Sequence, residues 1–256
     1  MSYFSKFITL IALAITISNY GQTADEIIDA YHENIGGIDK LKAINGIKLT
    51  LKINQGGMEL PIEVIELKDG RQMTKITFQG QEIMQGVYDG TTLWSTNFMT
   101  MQAEKSDAEA LKNFKLGLND FMDDFIDYKD KGYTVEMLGV ETIDGTEAYK
   151  IKLIKEPMTV EGQLVDDVNF YYFDKDNYVP IAVHTEVKEG PAKGMMAEST
   201  MSDYQEVDGI YFPFSMSQGV KDQGAQPVTV VSIELNPEVT DDMFTFPDSM
   251  KTDGGK

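Results

Sequence analysis

Between Asp167 and Val187 the chain reads DVNFYYFDKDNYVPIAVHTEV. Two runs of aromatic and β-branched residues flank Asp174-Lys175-Asp176-Asn177, whose side chains favour turns, so the stretch predicts a long antiparallel hairpin. Side chains alternate along a strand. That places Val179, Ile181, Val183 and Val187 on one face of the second arm, and Pro180, Ala182, His184 and Glu186 on the other. The first arm is apolar on both faces, with Val168, Phe170 and Tyr172 on one and Tyr171 and Phe173 on the other. It predicts a strand deep in a sheet with both sides covered. Most of the chain repeats this grammar, and the expectation is an all-antiparallel sheet with one apolar concave face.

Upstream, Ile47, Leu49, Leu51 and Ile53 alternate with Lys48, Thr50 and Lys52, and Gln55-Gly56-Gly57 turns the chain back into a strand carrying Leu60, Ile62 and Val64. The pattern slips at Ile65 and Leu67, which predicts a bulge. Further strands are expected at 73–78, 82–88, 91–95, 98–104, 133–138, 148–154, 197–204, 210–217 and 228–235. Two helical regions interrupt this order. Thr23 and Glu26 form a capping-box pattern ahead of Ile27, Ile28, Tyr31 and Ile35, and a second short turn carries Ile38, Leu41 and Ile44. Later, Ser106 and Glu109 form another such pattern. Leu111, Phe114, Leu118, Phe121 and Phe125 then step by three and four and predict one helical stripe. Gly117 interrupts it, and Asn119 is placed to cap a new helix, so a joint is expected there.

Lys6 precedes the uncharged apolar run Phe7 to Ile17, too short to span a bilayer but suited to a secretory signal. The expected organisation is a leader over 1–21, cleaved before Gln22, one domain over 22–247 and a loose tail over 248–256. The formal net charge is −20 and the only arginine is Arg71. Nucleic acid and anionic lipid surfaces draw on Lys and Arg clusters, so this balance argues against nucleic acid and against electrostatic adsorption to such surfaces. No cysteine is present for a disulfide or for lipid attachment. The expectation is a soluble, exported, periplasmic protein.

Catalytic chemistry finds no support in the sequence. The two histidines, His32 and His184, lack a Cys or a third His to complete a metal set. No nucleophile elbow, phosphate loop, His-Glu-x-x-His or dinucleotide fingerprint occurs. Asp120, Asp123, Asp124 and Asp127 are rich in oxygen but lack the spacing and glycine of a calcium loop. No enzyme, cofactor or metal is expected. What remains is a sheet with an excess of apolar side chains, methionines scattered through it, and amphipathic helices inserted between its strands. That composition fits either a closed core or a lipophilic cavity.

Tyr88-Asp89-Gly90-Thr91-Thr92-Leu93-Trp94, followed by Asn97-Phe98, resembles the Asp-Gly-x-Thr-Leu-Trp hairpin of LolA-like carriers, periplasmic proteins that sort lipoproteins to the outer membrane. Val140 to Ile151, Tyr172 to Asp174 with Val179-Pro180-Ile181, Tyr204 to Pro213, and Asp242 to Pro247 are similar to later segments of that family, in the same order. The resemblance covers essentially the whole chain after the leader. It implies an unclosed antiparallel β-barrel, mainly β with some α, whose concave face is covered by helices and holds lipid acyl chains. It implies lipoprotein or lipid acyl chains as cargo, and an inner-membrane release complex and an outer-membrane acceptor as partners. On that basis the expected cavity is lined by Leu49, Leu51, Leu60, Ile62, Trp94, Phe170, Tyr172, Ile181, Val183, Phe212 and Phe214. Trp94 has the alternative of packing beneath its own hairpin. The expected lid helix presents Leu111, Phe114, Leu118, Phe121 and Phe125. Where many relatives carry Arg-Pro at the entry to an early strand, this chain has Asp69-Gly70, so no arginine role in lid closure carries over to that position. The alternative function is a lipid-binding or sensing module on the same scaffold that passes no cargo on, with an exported hydrolase third.

Overall fold

The structure is a computed structural model and describes residues 21–247. Apart from Gly21, the expected leader and the tail over 248–256 lie outside the described residues. The first helix, α1 (Ala24–Asn34), opens with the expected capping box. Thr23 Oγ1 accepts the amide of Glu26 at 3.2 Å, and a Glu26 carboxylate oxygen accepts the amide of Thr23 at 2.8 Å. Its apolar stripe buries Ile27, Ile28 and Tyr31. α2 (Ile38–Ala43) follows and buries Leu41. Gly36 lies between them at φ +119°, where a Cβ would stand 2.2 Å from the carbonyl oxygen of Gly209. Only glycine permits that approach, and beside it the amide of Tyr211 donates to the carbonyl of Ile35 at 2.9 Å. The helical pair is thereby anchored to a distant hairpin.

Strands then run as β1 (Gly46–Gln55), β2 (Met58–Leu67), β3 (Gln72–Phe78), β4 (Gln81–Tyr88), β5 (Leu93–Thr96) and β6 (Ala103–Lys105). After α3 (Ala108–Gly117) come β7 (Thr134–Ile143), β8 (Thr146–Ile154), β9 (Met158–Val160), β10 (Gln163–Val165), β11 (Val168–Asp174), β12 (Pro180–Glu186), β13 (Met196–Val207), β14 (Ile210–Val220) and β15 (Ala225–Leu235). Thirteen of these strands form one antiparallel sheet in the order β6-β5-β4-β3-β2-β1-β15-β14-β13-β12-β11-β8-β7. Its end strands β6 and β7 do not pair with each other. This is the expected unclosed half-barrel, mainly β with few helices. The long-range pairing of β1 with β15 joins an early meander to a late one.

Helices cover one face of the sheet. Ile27, Ile28, Tyr31, Ile35 and Leu41 pack with Phe125, Tyr128 and Tyr133 onto Ile151, Leu153, Phe173 and Ile210. Further along the same face Leu51, Ile62, Val228 and Val230 pack on one another. The opposite face is also covered at one end, which sequence reasoning missed. The chain after β15 returns over Ile65, Leu67, Met73, Val87 and Trp94, and inserts Phe244.

Several expectations are corrected. No bulge occurs at Ile65 and Leu67. β2 stays in register with β1 throughout, and the change in pattern arises because the apolar side chains pass from the inner face at Ile62 and Val64 to the outer face at Ile65 and Leu67, which pack with Phe244, while Glu66 takes the inward position. The irregularity lies instead between Thr50 and Leu51, where β1 meets β15. The strand expected over 98–104 is only β6, because the Asn97 side chain accepts the amides of Met99 at 2.8 Å and Thr100 at 3.1 Å and curls the chain into a turn. Asp107, not Ser106, caps α3, accepting the amide of Ala110 at 2.8 Å. The stripe from Leu111 to Phe125 is not one helix. Only Leu111 and Phe114 lie on α3, Leu118 sits in a single 3-10 turn, and Phe121 is extended at φ −51° and ψ 127°. The helix stops because Asp120 is drawn to Lys131 and Lys155, and Asp123 folds back onto the amide of Phe125.

α3 buries none of its residues. Polar contacts to the β9–β10 hairpin hold it: the Asn113 side chain bonds the backbone of Thr159 in both directions, at 2.6 and 2.8 Å, and the Glu109 carboxylate accepts the amides of Glu161 and Gly162, each at 2.9 Å. Gly117 at its end has φ −66° and ψ −20°, and an added Cβ would meet nothing within 4 Å. Gly117→Ala should therefore stabilise the fold by about 0.5–1 kcal/mol through the unfolded state, read as a higher urea midpoint at unchanged slope. A fall in stability would show that this joint needs the freedom of glycine.

Candidate functional site

A cleft of about 370 Å³ opens between the sheet and its helical cover. The sheet side comprises Ile47 and Leu49 of β1, Val230 and Ile233 of β15, Phe212, Pro213 and Met216 of β14, and Met201 of β13. Tyr31, Ile35, Leu41, Met122 and Phe125 face it from the helical side. β1, β14 and β15 supply this wall because their inward positions are apolar and their registers bring Leu49 opposite Ile233 and Met201 opposite Met216. The wall continues into the apolar floor of Leu51, Ile62 and Val228.

The polar part of the lining is acidic and phenolic. Glu66, Asp120, Asp123 and Asp124 line the cleft together with Tyr31, Tyr171, Tyr204 and Tyr211. The Tyr31 hydroxyl donates to Asp123 at 2.5 Å and that of Tyr171 to Asp124 at 2.5 Å, while Tyr204 donates to the carbonyl of Pro180 at 2.6 Å. Burial, then the adjacent carboxylates, push the phenols of Tyr31 and Tyr171 well above their usual value, so both remain donors. Asp120 is held by Lys131 at 2.8 Å and Lys155 at 3.1 Å. His32 lies behind Asp123, its Nε2 3.5 Å from the carboxylate. Burial raises the Asp124 carboxyl against the opposing pull of Lys155. Burial also raises Glu66, and no hydrogen bond or ion pair of its carboxylate occurs among the described residues.

Because the folded state holds the Glu66 proton more tightly than the unfolded chain does, Glu66 costs stability once pH rises through its elevated folded pKa, and costs nothing below the ordinary glutamate range. Glu66→Gln should accordingly raise Tm at pH 7.5 and leave it unchanged near pH 4. An equal shift at both pH values would mean that ionisation is not the cause.

The expected site residues divide between the two faces. Leu49, Phe212 and Phe125 line the cleft. Leu51, Ile62 and Phe214 belong to the floor beyond it, and Leu60 follows on the same face two residues before Ile62. Val183 is paired with Tyr171 and shares its inward face. Phe170, Tyr172 and Ile181 do not reach the cleft. They pack with Ala148 and Ala182 on the outer face, and Tyr172 lies against His184 with ring centroids 4.6 Å apart. Phe170 and Tyr172 alternate with the inward Tyr171 and Phe173 along β11, whereas for Ile181 a register shift of β12 between Tyr172 and Phe173 is responsible: Pro180 turns inward, Ala182 outward, and the uniform face expected for Val179, Ile181 and Val183 is broken. Trp94 is on the outer face as well, its indole N–H donating to the Phe244 carbonyl at 3.0 Å and its ring edge-on to Phe246. Of the expected lid, Phe114 packs on Tyr88, Leu118 stands over Gly70, Phe121 borders a smaller opening beside Glu66, and Leu111 is half-buried on α3. The tyrosine–aspartate pairs were missed. The Asp120–Asp124 run was visible, but its partners come from α1 and β11, far away in sequence.

The cleft thus combines apolar walls, fixed phenol donors, three partnered carboxylates and the unpartnered Glu66. Among the described residues no group of three or more His, Asp or Glu side chains is placed to hold a metal ion, and no helix is long and apolar enough to cross a membrane.

No protein-family model matches the sequence, and comparison with curated proteins found no match. Solved structures do match in shape. A LolA superfamily protein from Nitrosomonas europaea superposes with a TM-score of 0.51 at 14% identity, over 88% of this chain and 98% of that one. A candidate outer-membrane lipoprotein-sorting domain from Vibrio parahaemolyticus gives 0.50 at 13% identity, over 86% and 94%. With the thirteen-stranded open sheet, its helical cover and the cleft between them, the chain has a LolA-like fold.

Proposed function

We propose that this protein is an exported, periplasmic lipid carrier that houses acyl chains in the cleft and passes them, as lipoprotein or lipid, from an inner-membrane release complex towards an outer-membrane acceptor. The observation that carries this reading is the cleft itself: an apolar strand surface, continuous with a larger apolar floor, roofed by helical segments rather than filled. Its size falls in the range typical of small-molecule sites, about 300–1,000 Å³. Each methylene transferred into it from water contributes about 0.8 kcal/mol. The polar hold on α3 supports the reading too, since hydrogen bonds to a two-stranded hairpin can be exchanged for water at small net cost. The likeness to sorting-type folds is consistent with it.

Titration with an uncharged fluorescent acyl ester tests the reading. Saturable binding with micromolar or tighter Kd, changing little between low and high salt, is expected because the contact is apolar. Absence of saturable uptake, and no lipid co-purifying with the protein by mass spectrometry, would rule the carrier reading out.

A further inference from the structure

Resting on that reading, we propose that the cleft selects amphiphiles with a primary ammonium head group, and that the Glu66 carboxylate is the group that receives it. Four carboxylates line the cleft and no Lys, Arg or His does. Three of the four have partners inside the protein. Asp120 is paired with Lys131 and Lys155, Asp124 accepts the Tyr171 hydroxyl, and Asp123 accepts both the Tyr31 hydroxyl and, at 2.6 Å, the amide of Phe125. Glu66 has none among the described residues, although it stands on the inward face with Ile47 opposite on one side and Gln72 on the other. The nearest arginine in sequence, Arg71, is turned to Asp69 at 2.8 Å and Asp241 at 2.5 Å. Lys48, the register partner of Ile65, is paired with Glu63 at 2.7 Å.

A carboxylate at the edge of an apolar wall without a partner is costly, and the cost is removed by any ligand that carries its own cation there. An ammonium supplies three N–H donors to Glu66 while its alkyl chain lies along Leu49 and Val230. A carboxylate or phosphate head group at the same place meets four acidic side chains in a chain of net charge −20, and is repelled. Head-group charge would then sort cargo that the apolar wall cannot tell apart.

The test is displacement of the uncharged fluorescent ester by dodecylammonium, dodecanol and dodecanoate at pH 7.5, in purified wild-type protein, Glu66→Gln and the surface control Glu59→Gln. Dodecylammonium is expected to bind about tenfold tighter than dodecanol in the wild type, the size of one charge-assisted hydrogen bond, and dodecanoate weakest of the three. Glu66→Gln should bring the ratio of dodecylammonium to dodecanol affinities to about one, whereas Glu59→Gln should leave it as in the wild type. A ratio near one in the wild type, or one untouched by Glu66→Gln, overturns the head-group assignment while dodecanol binding keeps the carrier reading. If dodecanol does not displace the ester, both fall together.

Discussion

Phe125→Ala should lower the unfolding free energy by about 3–5 kcal/mol, measured by urea denaturation. Phe125 is 2% exposed and its ring lies 4.7 Å from Tyr171 and 5.7 Å from Phe173, with Tyr128 edge-on at 6.3 Å. Such a site loses the transfer free energy of the ring and also the packing around the hole, because α1, β11 and the 121–133 segment meet there and cannot all relax at once. A residue on a lid that lifts would behave differently: truncation would cost little stability and weaken acyl binding instead. A loss under about 1 kcal/mol with impaired binding would therefore reassign Phe125 to a moving cover. α3, by contrast, has no buried residue, and its hold on β9 and β10 is polar.

The second large effect is on binding. Met201 and Met216 face each other across β13 and β14, and both line the cleft. Replacing both by Trp puts rigid rings where flexible thioether chains now leave room. Met201→Trp with Met216→Trp should weaken binding of the uncharged acyl ester by at least about tenfold, equivalent to blocking two buried methylenes. Stability should change by no more than about 1–3 kcal/mol, since the rings enter open space before they meet packed atoms. Calorimetric titration together with a thermal melt decides it. Undiminished binding in a well-folded double variant would place the acyl site outside this cleft.

Much of the architecture was legible from short-range chemistry. Asp-Gly and Asn-rich turns, period-two alternation and the Thr23–Glu26 box are local devices whose energetics involve neighbours within a few residues, so they read correctly without the fold. The capping of α3 and the end of its stripe were less legible for the opposite reason. Asp107 competes with Ser106 for the same amides, and Asp120 and Asp123 leave helical geometry for partners at Lys131, Lys155 and Tyr31, which periodicity does not weigh.

The site was legible only in part, and β11 shows why. Its sequence established that both faces are apolar, and the structure agrees, with Tyr172 and Phe173 both almost fully buried. Alternation sorts side chains into two sets but carries no sign, so it cannot say which set faces the helices. That sign is set by the curvature of the sheet and by what arrives from elsewhere: α1 and Phe125 cover Tyr171 and Phe173, while Ala148, Ala182 and His184 cover Tyr172. The same holds for Trp94, whose face was decided by Phe244, 150 residues away. The sequence by itself determined an open antiparallel sheet with apolar strands and capped helices between them. Tertiary structure decided which apolar residues became cleft and which became outer core, because burial depends on long-range partners and on a bulge of one residue, and neither leaves a mark on the local pattern.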